Sequence, residues 1–429
     1  MESSSASAPC GVSRWVSDPG GELLATPAED SCDVLIAGAG PAGADLARRL
    51  AQAGASVLLV DSLVDLRRAA FSSAALPWAA VREHALPDAV VAARWSGWTL
   101  LGPGSDRRTW TSATPAESVP PLGAVLDFGA LRHCLAERAA AAGAELRLGW
   151  RAVQWQPDGA QARTLLRGPA GAQRWIRSRW LVDATGQQRA LLGEPDQAAD
   201  PLVCGGGVEW LLQVEPAVWQ LWADRLSFLL GSDWVPQGYG WVFPMAPGQL
   251  KVGVCRLDDP GRPQPPLHGL LQTVLQRLDL AQALVLDRHG GVIRSTIRRR
   301  EPHQHGPLLG LGDAVSTANL LGGEGIRHAL SSSAVLAPLL LQALAGRPAA
   351  LRRYPRRLRR RLGWRWSLSG RLARRTWLGL DGPTADGRLR RLLAGLEAAA
   401  SAEDLSALLF DYRFERYGPR ALPYLLGWR

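Results

Sequence analysis

Lysine and cysteine are both scarce in this chain of 429 residues. Lys251 is the only lysine, so all its other basic residues are arginines, whose charge is permanent at physiological pH. The five cysteines are an odd number without C-x-x-C spacing, which argues against a disulfide framework or a zinc site. His303 and His305 lack a third ligand at a recognisable spacing, so we expect a solvent-facing loop and no metal. These features favour a reducing, cytoplasmic environment.

Long apolar runs are also absent. The best candidate, Ala329 to Ala345, is interrupted by three serines, Pro338 and Gln342, so we expect no membrane-spanning helix. The first 30 residues lack a basic start followed by an apolar core. We therefore expect a loose extension there rather than a secretory signal.

The composition is that of a globular protein, and its charge is uneven. Apolar residues make up 47% and charged residues 21% of the chain, which excludes a mainly disordered protein. The segment 346–376 holds twelve arginines and no acidic residue, and without it the net charge of +10 would become −2. The basic character therefore belongs to one segment.

A glycine pattern near the start indicates nucleotide binding. Cys32 to Asp61 reads as strand, glycine turn, helix and strand. Together with an acidic residue at the end of the second strand, the pattern G-x-G-x-x-G is specific for a dinucleotide, although this unit leaves NAD and FAD open. The predicted contacts are the turn and first helical residues at the phosphates and the carboxylate at the ribose: Gly38, Gly40, Pro41, Ala42, Gly43 and Asp61.

Two later segments favour FAD. The sequences LVDATG (181–186) and LLGLGDAVSTANLLGGEGIRHAL (308–330) resemble signatures of the geranylgeranyl reductase and aromatic hydroxylase group of flavoproteins. The resemblance extends to the lycopene cyclase-like members of the superfamily, and it implies that Asp313, after Gly312, contacts the ribityl-pyrophosphate region. It also implies that the start of the next helix lies against the flavin ring and stabilises negative charge there, through Gly322, Gly323, Gly325 and Ile326.

A third segment resembles the reductases in particular. Geranylgeranyl reductases carry Y-x-W-x-F-P beside the flavin, and here YGWVFP supplies Tyr239, Trp241, Phe243 and Pro244, with Gly253 further on. Strand alternation puts the three aromatic rings on one face. Such a face is often simply core, but its position between the two flavin signatures favours a wall of an isoprenoid channel.

Two departures from the family pattern stand out. The family's cysteine-containing C-G-E stretch is replaced by LRRAAFSSAALPW, so a role of that cysteine in protonation cannot be transferred. The family's D-R-x-x-F-D reads DFGALR here, with Phe128 at the arginine position and Arg132 at the second aspartate position. Glu324 and His328 follow the flavin-facing glycines, and a catalytic and a structural role are equally open for them; we take Glu324 as the candidate catalytic residue.

The order of the segments predicts an α/β fold: a Rossmann-like FAD-binding domain with an α+β insertion forming a β-rich substrate domain, and a helical C-terminal region. The predicted parts are an extension (1–30), a discontinuous FAD-binding domain (31–66, 126–200, 285–345), a substrate domain (67–125, 201–284) and a basic helical region (346–429).

The function expected from this resemblance is FAD-dependent oxidoreduction of a long apolar, isoprenoid-type or lipid substrate, with hydride transfer from reduced flavin to an alkene. A class A flavin monooxygenase, a carotenoid cyclase and a flavin-bearing membrane adaptor remain alternatives, although the cyclase motif F-L-E-E-T is missing. No second glycine fingerprint follows a strand, so NADPH or ferredoxin would act transiently as electron donor.

The arginine-rich segment 346–376 has two interpretations. Its leucines and aromatic residues recur every three or four positions, as in a basic helix lying on an anionic membrane. The same pattern also fits a solvated helix that packs its apolar stripe on the domain. We expect no nucleic-acid partner, because no recognisable RNA or DNA module accompanies the arginines. The chain is therefore expected to be cytoplasmic, with peripheral membrane attachment as an open possibility.

Overall fold

The computed structural model describes residues 30–68, 72–112 and 120–416, so the predicted extension lies outside it except for its last residue. In chain order the strands are β1 (Asp30–Ala37), β2 (Val57–Asp61), β3 (Ala75–Pro77), β4 (Val91–Trp95), β5 (Gly97–Leu101), β6 (Arg107–Thr111), β7 (Gly123–Leu126), β8 (Glu145–Leu148), β9 (Arg151–Asp158), β10 (Gln161–Arg167), β11 (Gln173–Asp183), β12 (Leu202–Gln213), β13 (Arg225–Leu230), β14 (Gly238–Pro244), β15 (Gln249–Leu257), β16 (Leu284–Thr296), β17 (Gln304–His305) and β18 (Leu308–Gly310). The α-helices are α1 (Pro41–Gln52), α2 (Trp78–Glu83), α3 (Phe128–Ala141), α4 (Pro216–Gln220), α5 (Leu267–Arg277), α6 (Ile326–Leu344), α7 (Tyr354–Leu378), α8 (Pro383–Ala399) and α9 (Ala402–Leu409).

The first sheet carries the predicted βαβ unit. Its order is β17-β18-β11-β1-β2-β8, with β10 and β9 attached beyond β11, and β1 is parallel to both β2 and β11. The inner part of β1 is apolar on both faces because both faces are covered, as expected for a central parallel strand. Leu46 of α1, Leu135 of α3 and Leu336 of α6 share one buried cluster. This arrangement confirms the predicted Rossmann-like α/β fold.

The second sheet has the order β16-β12-β15-β14-β13-β5-β6, and a small third sheet joins β3, β7 and β4. The segment YGWVFP, predicted as a strand, is its β14 and pairs with β15. The predicted boundary at residue 285 is wrong, because β16 pairs along β12 from Gln213 to Leu202 and so belongs to this sheet. Pairing between distant strands, which local patterns do not reveal, sets this boundary.

The arginine-rich helix α7 packs its apolar stripe on the first domain. Tyr354, Leu358 and Trp366 are buried, and the first two belong to the cluster that contains α1 and α6. Trp364 points the other way and is 62% exposed. Gly363 interrupts the helix with φ of 85°. The stripe is therefore occupied by packing, as the second interpretation of this segment expected.

Helices α8 and α9 cover the second sheet instead. Leu393 and Leu405 lie in one buried cluster with Trp98 of β5 and Phe243 of β14. The indole Nε1 of Trp98 donates a hydrogen bond to the carbonyl oxygen of Ala402, 3.0 Å away. The helical C-terminal region thus contacts both sheets.

One expectation about the histidines is wrong. His303 is buried, not solvent-facing, and its ring lies edge-on to Tyr354 with 5.4 Å between the centroids. Burial lowers the pKa of His303 to about 3, and the neighbouring arginines add to this effect. The cause is the packing of α7 on this loop.

Across the described ranges no helix is long and apolar enough to cross a membrane.

Candidate functional site

The glycine turn between β1 and α1 is built by close backbone contacts. Gly38 has φ of 108°, and a Cβ atom there would lie 2.3 Å from the carbonyl oxygen of Ala184. A Cβ at Gly43 would lie 2.0 Å from the carbonyl oxygen of Gly38. Gly40 differs, because nothing lies within 4 Å of its Cβ position. Two glycines are therefore required by the fold, whereas the third leaves open space at the start of α1.

The signature LVDATG closes this turn from the other side. Asp183 is fully buried, and its Oδ2 accepts hydrogen bonds from the backbone N–H groups of Leu191 and Leu192 at 2.9 and 2.8 Å. Its Oδ1 accepts from the Thr185 hydroxyl at 2.6 Å. These bonds fix the end of β11, which brings Ala184 against Gly38. The role of this aspartate is thus to shape the cofactor turn.

Asp61 lies at the end of β2, beside the glycine turn. Its Oδ2 accepts a hydrogen bond from the N–H of Ala39 at 2.8 Å, and its Oδ1 accepts from the N–H of Leu63 at 2.9 Å. Each carboxylate oxygen can accept more than one hydrogen bond. Asp61 therefore orders the turn and keeps acceptor capacity for a ribose hydroxyl.

The segment around Asp313 approaches the same turn from β18. Gly312 has φ of 63°, and a Cβ there would lie 2.9 Å from the Cβ of Ala42. Asp313 Oδ1 accepts a hydrogen bond from the Thr317 hydroxyl at 2.8 Å, and burial raises the pKa of this carboxyl group. Gly325 then caps α6 without a side-chain hydrogen bond. The first N–H groups of α6 are thus left for a ligand.

A cavity of about 300 Å³ joins this segment to the aromatic strand. Pro41, Asp313, Gly322, Gly323, Gly325 and Ile326 line it from the cofactor side, and Tyr239, Trp241 and Phe243 line it from β14. The remaining predicted cofactor residues lie at the turn outside this cavity, and Pro244 ends β14 without lining it.

The aromatic residues of β14 form one continuous wall, as strand alternation predicts. Ring centroids are 6.0 Å apart for Tyr239 and Trp241 and 6.3 Å apart for Trp241 and Phe243. The Tyr239 hydroxyl donates to the carbonyl oxygen of Gly322 at 3.3 Å. Burial raises the pKa of Tyr239, so its phenol stays protonated at neutral pH. The wall therefore touches the glycine loop at the start of α6.

A buried ion pair behind this wall was missed by the sequence reasoning. Trp241 Nε1 donates to Glu209 Oε2 at 2.9 Å, and Lys251 Nζ lies 3.6 Å from Glu209 Oε1. Lys251 also donates to the carbonyl oxygen of Ser72 at 2.7 Å. The signal was available, since this is the only lysine of the chain and lies on the strand next to the aromatic motif.

The segment 72–75 stands where the family's cysteine stretch would be. Ser72, Ser73, Ala74 and Ala75 line the cavity, so small side chains replace the missing thiol. Phe71 lies outside the described residues. Lys251 therefore anchors a cavity wall whose chemistry differs from that of the family.

Phe128 and Arg132 occupy the positions at which the sequence departs from the family's D-R-x-x-F-D pattern. Phe128 lines the cavity, and the guanidinium carbon of Arg132 lies 5.9 Å from the Phe128 ring centroid. Arg132 is only 8% exposed; burial lowers its pKa, and attraction to Asp61 raises it. A positive charge thus lies beside the glycine turn, one helical turn later than the family pattern would place it.

Glu324 is part of a buried polar cluster at the edge of the cavity. Its Oε2 accepts hydrogen bonds from Arg327 at 2.9 Å and from the Tyr412 hydroxyl at 3.2 Å, and His328 Nε2 lies 3.4 Å away. Burial would raise its pKa, but Arg327 and His328 outweigh burial and lower it to about 2. The carboxylate is therefore ionised at neutral pH.

Helix α7 holds the glycine-rich loop before α6 in place. Asn319 Nδ2 donates to the Ser369 hydroxyl at 2.6 Å, and Trp377 Nε1 donates to the carbonyl oxygen of Leu321 at 3.1 Å. Both partners belong to the C-terminal region, which the motifs did not connect with the cofactor. The shape of the loop before α6 thus depends on residues some fifty positions later, at separations of 50 and 56.

These residues fit FAD. The open space at Gly40 faces the free start of α1, and the acceptor Asp61 lies at the end of β2 beside the same turn. A second free helix start at Gly325 faces a cavity large enough for a planar ring. The described ranges contain no group of three or more potential metal ligands.

Comparisons with known proteins agree with this geometry. A family profile described as FAD binding domain matches residues 31–75, which span β1, α1 and β2. A digeranylgeranylglycerophospholipid reductase from Methanosarcina mazei is 26% identical over 74% of this chain and 77% of its own length. A menaquinone reductase from Mycobacterium tuberculosis is 28% identical over 80% of this chain and 84% of its own length.

Solved structures share the fold at low identity. A geranylgeranyl bacteriochlorophyll reductase-like protein from Thermoplasma acidophilum has a TM-score of 0.77 and 20% identity, covering 92% of this chain and 100% of that one. The p-nitrophenol 4-monooxygenase from Pseudomonas putida has a TM-score of 0.68 and 18% identity, covering 90% and 98%. The chain therefore carries an FAD-binding domain, has relatives named as digeranylgeranylglycerophospholipid and menaquinone reductases, and shares its fold with a geranylgeranyl reductase-like protein and a p-nitrophenol monooxygenase.

Proposed function

We propose that this enzyme reduces an alkene of a long isoprenoid chain. The observation that carries the proposal is the shared cavity, in which the aromatic wall of β14 faces the glycine-rich start of α6. Relatives named for reductions of digeranylgeranylglycerophospholipid and menaquinone support a lipid substrate. FAD, when bound, supplies the hydride for such a reduction.

The residues of the chain would hold the cofactor at both ends. Gly38, Gly40 and Gly43 with the start of α1 would bind the pyrophosphate, and Asp61 would accept hydrogen bonds from the ribose. Asp313 would contact the ribityl region. The free N–H groups at the start of α6 would stabilise negative charge on the reduced ring, because a helix N-terminus carries a partial positive charge.

The aromatic wall would position the substrate and exclude water. Tyr239, Trp241 and Phe243 line one side of the cavity with aromatic surfaces, and the adjoining glycine loop lines another. An alkene between the two sides would lie against the ring with little water near it. Exclusion of water strengthens the electrostatic interactions of the site and prevents loss of the hydride to side reactions.

Glu324 is our candidate for proton handling. Its ionised carboxylate cannot itself release a proton at neutral pH, but it accepts a hydrogen bond from Tyr412 and lies 3.4 Å from His328. A proton for the second alkene carbon would reach the cavity through these groups or through an ordered water held by the carboxylate. In this role Glu324 would be a proton relay rather than the final acid.

The electron donor would be NADPH or ferredoxin, bound transiently. The sequence has no second strand-linked glycine fingerprint that would form a separate nicotinamide domain.

We further propose peripheral contact with an anionic membrane through the segment 346–376. Because the apolar stripe of α7 is buried, attachment would depend on exposed arginines and on Trp364 rather than on insertion of a helix face. Such contact would bring the cavity close to lipid substrates.

A class A monooxygenase is the second candidate, favoured by the structural likeness to p-nitrophenol 4-monooxygenase. The apolar cavity accommodates a chain as readily as an aromatic ring. The two functions differ in what consumes the reduced flavin.

Anaerobic reduction followed by rapid mixing tests the proposal. The reduced, FAD-loaded protein is mixed with geranylgeraniol in anaerobic or in oxygenated buffer, and flavin absorbance and product mass are followed. We expect reoxidation by the alkene with a mass gain of two hydrogens. Reoxidation by oxygen alone, with transfer of one oxygen atom to the substrate, would identify a monooxygenase.

A further inference from the structure

A second cavity of about 180 Å³ lies between the second sheet and the C-terminal helices. Its outer side is formed by leucines of α8 and α9, and its inner side by aromatic and aliphatic residues of β5 and β13. We call it the leucine chamber; its lining includes Leu392, Leu393, Leu405, Leu408, Trp98 and Leu100.

The leucine chamber is lined mainly by apolar side chains, and the polar groups of its lining side chains belong to Trp98, Tyr239, Glu324, Thr376 and Trp377. The one polar atom of the Trp98 side chain donates its hydrogen bond to Ala402 in the helix backbone, and so it does not require water. On the side of α8 and α9, buried leucines such as Leu393 and Leu405 offer no polar partner to a water molecule, and apolar surfaces of this kind bind apolar molecules.

The chamber adjoins the cavity at the glycine loop and shares part of its wall. Tyr239 and Trp377 stand at the junction, with ring centroids 4.8 Å apart. The residues that line both spaces are Phe228, Tyr239, Gly322, Glu324, Trp377 and Phe410. An apolar chain that lies along the aromatic wall would therefore reach the chamber by passing between the side chains of this shared wall.

The size of the chamber limits what fits. An apolar cavity of about 150 Å³ in another protein binds benzene, so a chamber of this volume takes a branched group of roughly five or six carbons. That is one isoprene unit. A compact aromatic substrate would occupy only the first cavity and leave the chamber empty.

We propose that the leucine chamber receives the terminal isoprene unit of the substrate chain, so that α8 and α9 set the chain length the enzyme prefers. This inference rests on the proposed function for the identity of the chain, but the chamber itself can be tested by binding alone. Leu392 and Leu408 are half-buried lining residues, one from each helix, where a larger side chain would fill the space.

Equilibrium binding to the oxidised, FAD-loaded full chain is the test. Geraniol, farnesol and geranylgeraniol differ by one isoprene unit each, and their dissociation constants are read from quenching of tryptophan fluorescence. We first identify the longest of the three alcohols that binds the wild type, which is the one expected to reach the chamber. We expect Leu408→Phe and Leu392→Phe each to weaken binding of that alcohol by at least tenfold and to leave binding of geraniol unchanged. The matched control is Leu278→Phe, at a half-buried leucine of the second domain outside both cavities.

Loss of affinity at all chain lengths, or at none, would overturn the proposal, as would the same selective loss in the control. Benzene provides a second readout: it should raise the thermal unfolding temperature of the wild type and have a smaller effect on Leu408→Phe, and no stabilisation of the wild type also contradicts the chamber. If binding depends on chain length but the alkene never reoxidises the flavin, the reductase function is refuted and the role of the chamber is supported. If the alkene is reduced but binding does not depend on chain length, the reductase function is supported and the role of the chamber is refuted.

Discussion

The indole ring of Trp241 fills the space next to Gly253, where a Cβ atom would lie only 2.2 Å from Cζ2 of the ring. The two residues face each other across paired strands β14 and β15. The glycine that accompanies the aromatic motif is therefore explained by packing: it lets the tryptophan lie flat on the sheet while its Nε1 reaches Glu209.

Gly253→Ala should displace Trp241 and weaken its hydrogen bond to Glu209. Overpacking of a tight core position costs about 1–3 kcal/mol, and we expect that loss in urea unfolding together with a shifted tryptophan emission. Gly269→Ala is the matched control, since nothing lies within 4 Å of its Cβ position on the exposed side of α5. The control should be neutral or gain up to about 1 kcal/mol from helix propensity. Equal effects of the two changes would contradict the packing explanation.

Gly40→Ala and Gly38→Ala should separate cofactor binding from folding. A Cβ at position 40 meets nothing, so this variant should fold with an unchanged unfolding temperature and bind FAD at least about tenfold more weakly, because the methyl group occupies the phosphate approach. At position 38 the positive φ and the clash with Ala184 should cost about 2 kcal/mol or more of stability. FAD titration and thermal unfolding are measured for both. Full FAD affinity in Gly40→Ala would contradict the assigned phosphate site.

Lys251→Met should be strongly destabilising, because it leaves the buried carboxylate of Glu209 without its cation. Both side chains are almost inaccessible, at 6% and 0% exposure, and removing one partner of a buried ion pair costs about 3–5 kcal/mol. The double variant with Glu209→Gln should recover part of the loss. A double-mutant cycle by urea denaturation measures the coupling, and additive losses would show that the pair is not coupled.

Acid should weaken the fold through Glu324. Burial opposes ionisation of this carboxyl group, yet Arg327 and His328 lower its pKa from an ordinary 4.5 to about 2. A group whose pKa is lower in the folded state contributes stability above its unfolded pKa and loses it as the pH falls toward the folded value. Between about pH 5 and pH 2 the wild type should therefore lose on the order of 3 kcal/mol more than Glu324→Gln. Parallel pH profiles from urea titrations would contradict the ion pair.

Exchange of arginines on α7 should reduce membrane binding. Arg356 and Arg357 are exposed, and each basic residue near an anionic surface contributes about 1 kcal/mol. Replacing both with Gln should lower binding to anionic vesicles by roughly tenfold to thirtyfold in flotation. Arg167→Gln with Arg174→Gln removes the same charge from exposed positions outside the segment and is the control. Equal binding to neutral and anionic vesicles by the wild type would contradict the membrane proposal.

Local signals made much of the fold predictable. The spacing of Gly38, Gly40 and Gly43 locates the turn between β1 and α1, and alternation puts Tyr239 and Phe243 on one face, because both depend on neighbours in sequence. Contacts between residues that are far apart in the sequence were not predictable in this way. The hydrogen bond from Trp98 to Ala402 joins residues 304 positions apart, and no periodicity in either segment indicates it.

The same limit explains the errors at particular residues. His303 resembled a loop residue because its neighbours are polar, and only the packing of α7 buries it. In the sequence, the leucines of α8 form the apolar stripe of an ordinary amphipathic helix. In the structure, these leucines line a cavity together with residues of β5. Residue type and spacing describe one side of such a contact, and the partner is known only after folding.

The bonds from Asn319 to Ser369 and from Trp377 to Leu321 have a consequence for biosynthesis. A ribosome that has made the nucleotide-binding strands, the aromatic strand and the glycine loop has not yet made the helix that fixes the loop. Ordering of this loop therefore awaits the synthesis of α7, and a chain cut short before α7 would carry every recognisable motif without the side chains that hold the loop.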